Sequence, residues 1–250
     1  MGPSVPLRIG IPYLWIALGI AAATLAPPPA GAVTVDGDLG YASDYIVRGI
    51  SQTGGRSAGQ IDLRVGTQDG TFVGVFASTL ERLWHHEYGP TTGWDYELEA
   101  YVGHRFDLSP SWSTTLTGTS YSYLRGNAPF SDDYQEIALT TSYQDLWSLE
   151  LAAIPNAVRW RWEDRLGRYA AYVASTSAQI PLPGRLAFTA GAGYYTTEAD
   201  GYAFGNAGLA FEFKSLRVDL GYYVAADHAA RLFPYGRAGK HFAASVNWHF

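Results

Sequence analysis

The chain has 250 residues, enough for one sizeable domain, and carries 17 basic against 23 acidic side chains for a net charge of −6. Net acidity without a basic stripe excludes a surface built to neutralise nucleic-acid phosphates. The absence of cysteine excludes both a disulfide-stapled secreted domain and an anchor that needs a lipid-bearing thiol.

Residues 1–32 have the layout of a secretory signal. Arg8 gives the positive start, Ile9 to Ala26 is largely apolar, and Ala30-Gly31-Ala32 is a small-x-small cleavage site. The alternative is a single membrane-spanning helix, for which the run is near the minimum length. No later apolar run approaches that length. The expectation is an exported mature chain over 33–250, folded as one domain.

The mature chain reads as short strands at regular spacing. They fall at 34–48, 57–67, 71–80, 93–106, 111–124, 133–143, 146–155, 168–180, 185–196, 202–214, 216–226 and 239–250. That is about twelve strands, each near the length of a tilted membrane strand. Between them, short connections alternate with long ones. The short ones carry turn chemistry, as in Gln68-Asp69-Gly70 and Pro181-Leu182-Pro183-Gly184. Short turns at one end and long loops at the other is the pattern of an outer-membrane barrel, with the turns periplasmic.

The strands also alternate in polarity with a period of two. In 93–106, Trp94, Tyr96, Leu98, Ala100 and Val102 oppose Asp95, Glu97, Glu99 and Arg105. In 216–226, Leu216, Val218 and Leu220 oppose Arg217 and Asp219. Pro155 marks a break or a bulge near the outer end of its strand. Aromatic residues gather at strand ends: Trp112, Trp147, Phe213, Trp248 and Phe250 at one, Trp84, Trp94, Tyr194 and Tyr222 at the other. Two such girdles suit the boundaries of a bilayer. Aromatics (15%) and 28 glycines are abundant, charged residues (16%) are scarce, and the mean hydropathy is −0.07. A sheet with one lipid face and one water face averages in this way; a bundle of apolar helices does not. The predicted fold is therefore all-β, a closed antiparallel transmembrane barrel whose first and last strands pair, because an open edge in hydrocarbon leaves amides unsatisfied.

The last strand has Phe242, Val246, Trp248 and Phe250 on its apolar face. It resembles the C-terminal assembly signal of Gram-negative outer-membrane proteins, which implies recognition by the barrel-assembly machinery. In 43–53 stands Ser-Asp-Tyr-Ile-Val-Arg-Gly-Ile-Ser-Gln-Thr. This resembles the opening motif S-D-Y-x-x-R-G-x-S-Q-T of a proteobacterial family labelled Gcw_chp, also described as TorF-type porins. The resemblance implies a barrel in the outer membrane and, loosely, a transport role.

Strand parity places Asp44, Arg48, Asp62, Arg64, Asp95, Glu97, Glu99, Arg105, Glu136, Glu150, Arg217 and Asp219 on the inward face as pore-lining residues. Asp44 and Arg48 lie roughly 13 Å apart along an extended strand, too far to pair with each other. Asp62 and Arg64 on the next strand are the expected partners, with Gly49 bending the chain into the first outer loop. These charges act either as a selectivity element or as a ladder that stiffens the wall. The acidic excess predicts a mild cation preference, sharpest at Asp95, Glu97 and Glu99. Twelve strands leave a channel of at most about 10 Å, wide enough for small solutes.

The sequence thus points to passive diffusion of a small solute, with outer-membrane lipid and lipopolysaccharide as surroundings and no cofactor. The Arg-Trp-rich stretch 159–165 suits lipopolysaccharide contact. Adjacent His85 and His86 are a weak metal signal. The other readings are a plugged structural or adhesive barrel and, more remotely, a lipid hydrolase, for which no histidine stands beside a lipid-facing nucleophile near the outer leaflet.

Overall fold

A computed structural model describes residues 33–80, 95–124, 133–159, 167–198, 200–233 and 237–250. The signal-like segment, the loops around His85–His86 and 160–165, and the side chain of Arg159 lie outside the described residues. Twelve strands form one closed ring: β1 (Thr34–Ala42), β4 (Ala58–Gly66), β5 (Thr71–Leu80), β6 (Asp95–Asp107), β7 (Trp112–Leu124), β8 (Tyr134–Tyr143), β9 (Trp147–Arg159), β10 (Gly167–Leu182), β11 (Leu186–Thr197), β12 (Gly201–Phe213), β13 (Leu216–Ala225) and β14 (Lys240–His249). A small hairpin, β2 (Ile46–Val47) and β3 (Ile50–Ser51), stands outside the ring, and a one-turn helix, α1 (Ala229–Leu232), lies between β13 and β14.

Every neighbouring pair in the ring is antiparallel, and each strand but the first pairs with its predecessor in the ring. The ring closes where β1 meets β14, with Leu39 opposite Trp248 and Tyr41 opposite Val246. Gly37 and Phe250 exchange both backbone hydrogen bonds at 3.0 Å, so the pairing runs to the last residue. Closure leaves the ladder without an edge, as hydrocarbon requires.

The register fixes one lumenal and one outer set on each strand, and the two are opposite in chemistry. Val75, Leu98, Ile137, Leu151, Ile180 and Leu220 all stand exposed on the outer face. Asp62, Glu97, Glu99, Thr119, Glu136 and Glu150 are buried in the interior. A soluble protein sorts its residues the other way, and an apolar band that encircles the molecule is stable only in lipid. Trp112 packs on Tyr143 and Trp147 with ring centroids 5.0 and 6.1 Å apart at the turn end, and Trp248 lies 5.3 Å from Phe250. Tyr222 meets Phe242 at 4.8 Å nearer the loop end. Among the described aromatics the turn-end girdle is present, and Tyr194 and Tyr222 stand at the other end; Trp84 and Trp94 lie outside the described residues.

The tight turns have the predicted chemistry. Gln144 and Asp145 both adopt positive φ, as do Gly184 and Arg185, the geometry that matches hairpin twist. In the turn after β4, Asp69 accepts hydrogen bonds from the Thr67 hydroxyl and the Thr71 amide. The Thr67 contact, then the Thr71 one, holds the Asp69 carboxyl below the usual carboxylate range. Pro155 makes a bulge: Tyr169 opposes Ala157 and Ala171 opposes Ile154, so the β9 strand carries one residue more. The Asn156 side chain bridges to Gln135 on β8, donating to its side chain at 2.7 Å and accepting from its amide at 2.8 Å. This replaces ladder bonds that a proline cannot give.

One expectation fails. The first strand ends at Ala42, not at residue 48, and residues 43–53 fold inward as the β2–β3 hairpin. Tyr45, Ile46, Ile50, Ser51 and Thr53 are all buried.

Ala42 and Ser245 are a directly opposed pair in the closing ladder, without mutual backbone hydrogen bonds, where Cα atoms approach most closely. In a chain with no native cysteine, the Ala42→Cys/Ser245→Cys variant should form an intramolecular disulfide on oxidation of the folded protein. Thiols that remain free in the folded state would mean that the ring is not closed by these strands.

Candidate functional site: a lumen crossed by a hairpin

The site is the barrel interior and the hairpin that spans it. Ser43 is still tied to the wall, donating from its amide to the Ala244 carbonyl at 2.8 Å. Beyond it the chain leaves the sheet. Asp44 organises the base of the excursion: its Oδ1 accepts from the Ser51 hydroxyl at 2.6 Å and from the Thr53 hydroxyl at 2.8 Å. The Thr53 hydroxyl in turn accepts from the Tyr45 amide at 3.0 Å. His241 on β14 brings Nδ1 to 3.4 Å from Asp44 Oδ2. One carboxylate therefore ties the two arms of the hairpin together and both to the wall. The motif residues Asp, Ser and Thr are needed at these positions because a buried carboxylate must be given donors.

The tip is Arg48-Gly49, with φ of 50° and 78°. Positive φ at both central residues is the two-residue hairpin turn with the twist of the arms. Gly49 is required twice over, because a Cβ there would stand 2.6 Å from the Val224 carbonyl oxygen. The tip reaches the far wall: round the ring β8 is five strands from β1 in one direction and seven in the other. There Arg48 Nη2 lies 2.8 Å from each carboxylate oxygen of Glu136 on β8, donating to Oε1, and 3.9 Å from Glu150 on β9. Between these glutamates the wall carries only Ala138 and Ala152, which face each other in the ladder. Their small side chains leave room for the guanidinium. The expected pairing of Asp44 and Arg48 with Arg64 and Asp62 is thus incorrect. Both residues have left the strand that would have carried them past β4.

The other predicted residues line the interior in two groups. Asp62, Asp95, Glu97, Glu99, Glu136 and Glu150 are all buried on the β4–β9 arc. Tyr101 donates to Asp62 at 2.6 Å, and Tyr123 donates to Glu97 at 3.4 Å. Tyr121 stacks on Tyr134 at 4.3 Å, beside Glu136. Arg64 lies over the Phe72 ring at 3.8 Å. The second group is nearer the turn end on the opposite arc. Arg217 chelates Asp219 through Nε and Nη2 at 2.7–3.0 Å and donates to Gln179 on β10 at 3.1 Å and to Glu212. Arg105 stands at the turn-end rim, pairing with Asp107 at 2.9 Å and Asp145 at 3.4 Å. Phe242, Val246, Trp248 and Phe250 all face outward on the last strand, as strand parity predicted.

Sequence reasoning missed three parts of this interior. It did not assign Ser51, Thr53 and His241 to Asp44. It did not single out Ala138 and Ala152, which face each other only across the β8–β9 register. Nor did it find α1, whose Leu232 is buried and whose neighbour Phe233 meets the lumenal Tyr195 and Tyr202 rings, each at 5.8 Å. Ile50 joins this apolar cluster and bridges to Ala238. Among the described residues no group of three metal-ligating side chains converges. His104 is on the outer face, 2.9 Å from the Thr71 hydroxyl.

Known structures share the architecture. The chain is similar to the KdgM porin, with a TM-score of 0.54 and 8% identity over 86% of this chain and 99% of that one. It is similar to the NanC porin at a TM-score of 0.52 and 11% identity, covering 86% and 98% of the two chains. A KdgM porin in complex with disordered oligogalacturonate matches at 0.51 and 8% identity, over 88% and 99%. At such identities the likeness is one of fold. No curated protein matches the chain. The family model that does match is described as a bacterial protein of unknown function, Gcw_chp, and it spans residues 26–250. The chain belongs to the Gcw_chp family.

Proposed function

We propose that this protein is a porin-like, non-enzymatic channel of a Gram-negative outer membrane, passing small solutes with a preference for cations. The carrying observation is the wall from β4 to β9, where Asp62, Asp95, Glu97, Glu99, Glu136 and Glu150 are buried in a ring whose outside is apolar. A lumen of low dielectric focuses the field of such a wall and concentrates counter-ions within it. The oligogalacturonate held by the KdgM porin is a polyanion; an acidic wall repels a chain of that kind. The assembly role of the outward Phe242, Val246, Trp248 and Phe250, and contact with lipopolysaccharide, belong to the same proposal.

The hairpin favours a second reading. It crosses the lumen, and its Ile50 packs with Leu232 and Phe233 of the α1 region against the lumenal Tyr195 and Tyr202, as a plug in a structural barrel would. Conductance separates the two. The channel reading predicts that refolded protein in planar bilayers gives discrete steps, and that a salt gradient gives a reversal potential of cation-selective sign. Glu97→Gln/Glu99→Gln should move that potential toward zero. A wild-type barrel that never conducts supports the plug.

Asp44→Ala removes the acceptor of two buried hydroxyls. It should cost about 1–3 kcal/mol, read as a lower denaturant midpoint. It should also give noisier, more frequent openings, because the hairpin base keeps its backbone bonds but loses its side-chain tie. An unchanged midpoint and unchanged gating would remove Asp44 from the account.

A further inference from the structure

The socket on the far wall is less well filled than its burial demands. Arg48, Glu136 and Glu150 have side-chain exposures of 9%, 0% and 3%. Yet Arg48 Nε donates no hydrogen bond, and the Glu150 carboxylate takes none from Arg48. The Thr119 hydroxyl, wholly buried on β7 and opposite Glu136 in the ladder, is likewise without a partner. Buried groups left in this state are costly. The cause is geometric. Arg48 arrives on a tight turn whose Gly49 passes close to the Val224 carbonyl, and its Nη2 alone reaches Glu136, at 2.8 Å, and Glu150 only at 3.9 Å. A guanidinium free to orient can form the paired bonds that a carboxylate prefers. Beside the socket a cavity of about 70 Å³ is lined by Arg48, Glu150, Ser148, Ser177, Asn206 and Tyr223. That is several times the ~10–15 Å³ that one water needs, and its lining is rich in hydroxyl and amide groups.

We propose that Glu136 and Glu150 form a binding site for small solutes bearing a guanidinium group, and that Arg48 is the tethered competitor that occupies it at rest. Solute takes the place of Arg48, the hairpin withdraws, and the lumen opens. This inference rests on the channel reading. It requires only that the solute bind the state with the hairpin withdrawn better than the state with it seated. A tethered group competes at an effective concentration on the order of millimolar, so the opening solute acts in that range.

The test uses the full mature chain refolded in planar bilayers, with methylguanidinium chloride as the probe and tetramethylammonium chloride at equal ionic strength as the control. Wild type should open several-fold more often in methylguanidinium, at about millimolar concentration, and not in the control salt. Arg48→Ala should open without the probe and ignore it. Glu136→Gln/Glu150→Gln should lose the response to the probe. Arg48→Lys, which keeps the charge and loses the fork, should fall between wild type and Arg48→Ala. Equal responses to the two salts, or an Arg48→Ala barrel that conducts and gates like wild type, overturn the proposal and leave the channel reading intact. If neither wild type nor Arg48→Ala conducts in any salt, the channel reading falls first and the proposal with it.

Discussion

Backbone amides in hydrocarbon have no water to bond to, and that constraint governs this structure. The ladder of twelve strands must return to its own first member; Gly37 and Phe250 complete it by exchanging backbone bonds. Closure then turns the two faces of each strand, which alternate with a period of two, to lipid and to lumen. The outer face must be apolar across the hydrocarbon, and most of the charges that the strands carry fall on the inner face, with Arg168 and Lys240 on the outer parity only at the loop ends of their strands. The alternation of Tyr96, Leu98 and Ala100 with Glu97, Glu99 and Tyr101 follows from this.

A lumen so lined is a demanding environment. Carboxylates on adjacent strands repel one another, and their desolvation is expensive unless each finds a donor. The structure meets this with tyrosines, through Tyr101 to Asp62 and Tyr123 to Glu97, and with a cation brought from the opposite wall. The hairpin of residues 43–53 serves both needs at once. It supplies the Arg48 guanidinium to Glu136, and it narrows the passage that those same acids line. Asp44 supports this at the base, where its acceptor oxygen adds a side-chain tie between the two arms to the backbone pairing of the hairpin.

Most of the barrel was legible in the sequence because lipid imposes a simple rule on each strand separately. The strand set, the alternation of turns and loops, and the bulge at Pro155 depend only on local polarity and turn chemistry. The hairpin was not legible for the same reason inverted. Residues 43–48 continue a plausible strand alternation, so nothing local marks Ala42 as the end of β1. The Arg48-Gly49 tip lacks the usual Asn-Gly sign of a tight hairpin turn. Its partner Glu136 lies 88 residues away, beyond the reach of any spacing argument. Parity correctly gave the inward face of Asp62, Glu97, Glu99, Glu136 and Glu150, but it cannot tell a residue mounted on the wall from one that has left it. Asp44 and Arg48 were misplaced on that account.

The division into a lipid face and a lumenal face is the claim on which the remainder stands, and β6 offers its cleanest test. Single cysteines placed in turn at residues 96–103 carry a nitroxide label in reconstituted bilayers, and relaxation by dissolved oxygen, which partitions into lipid, is recorded at each. The account predicts a strict alternation, with strong relaxation at 96, 98, 100 and 102 and weak relaxation at 97, 99, 101 and 103. A profile with no period of two, or one with the odd positions facing lipid, would contradict it.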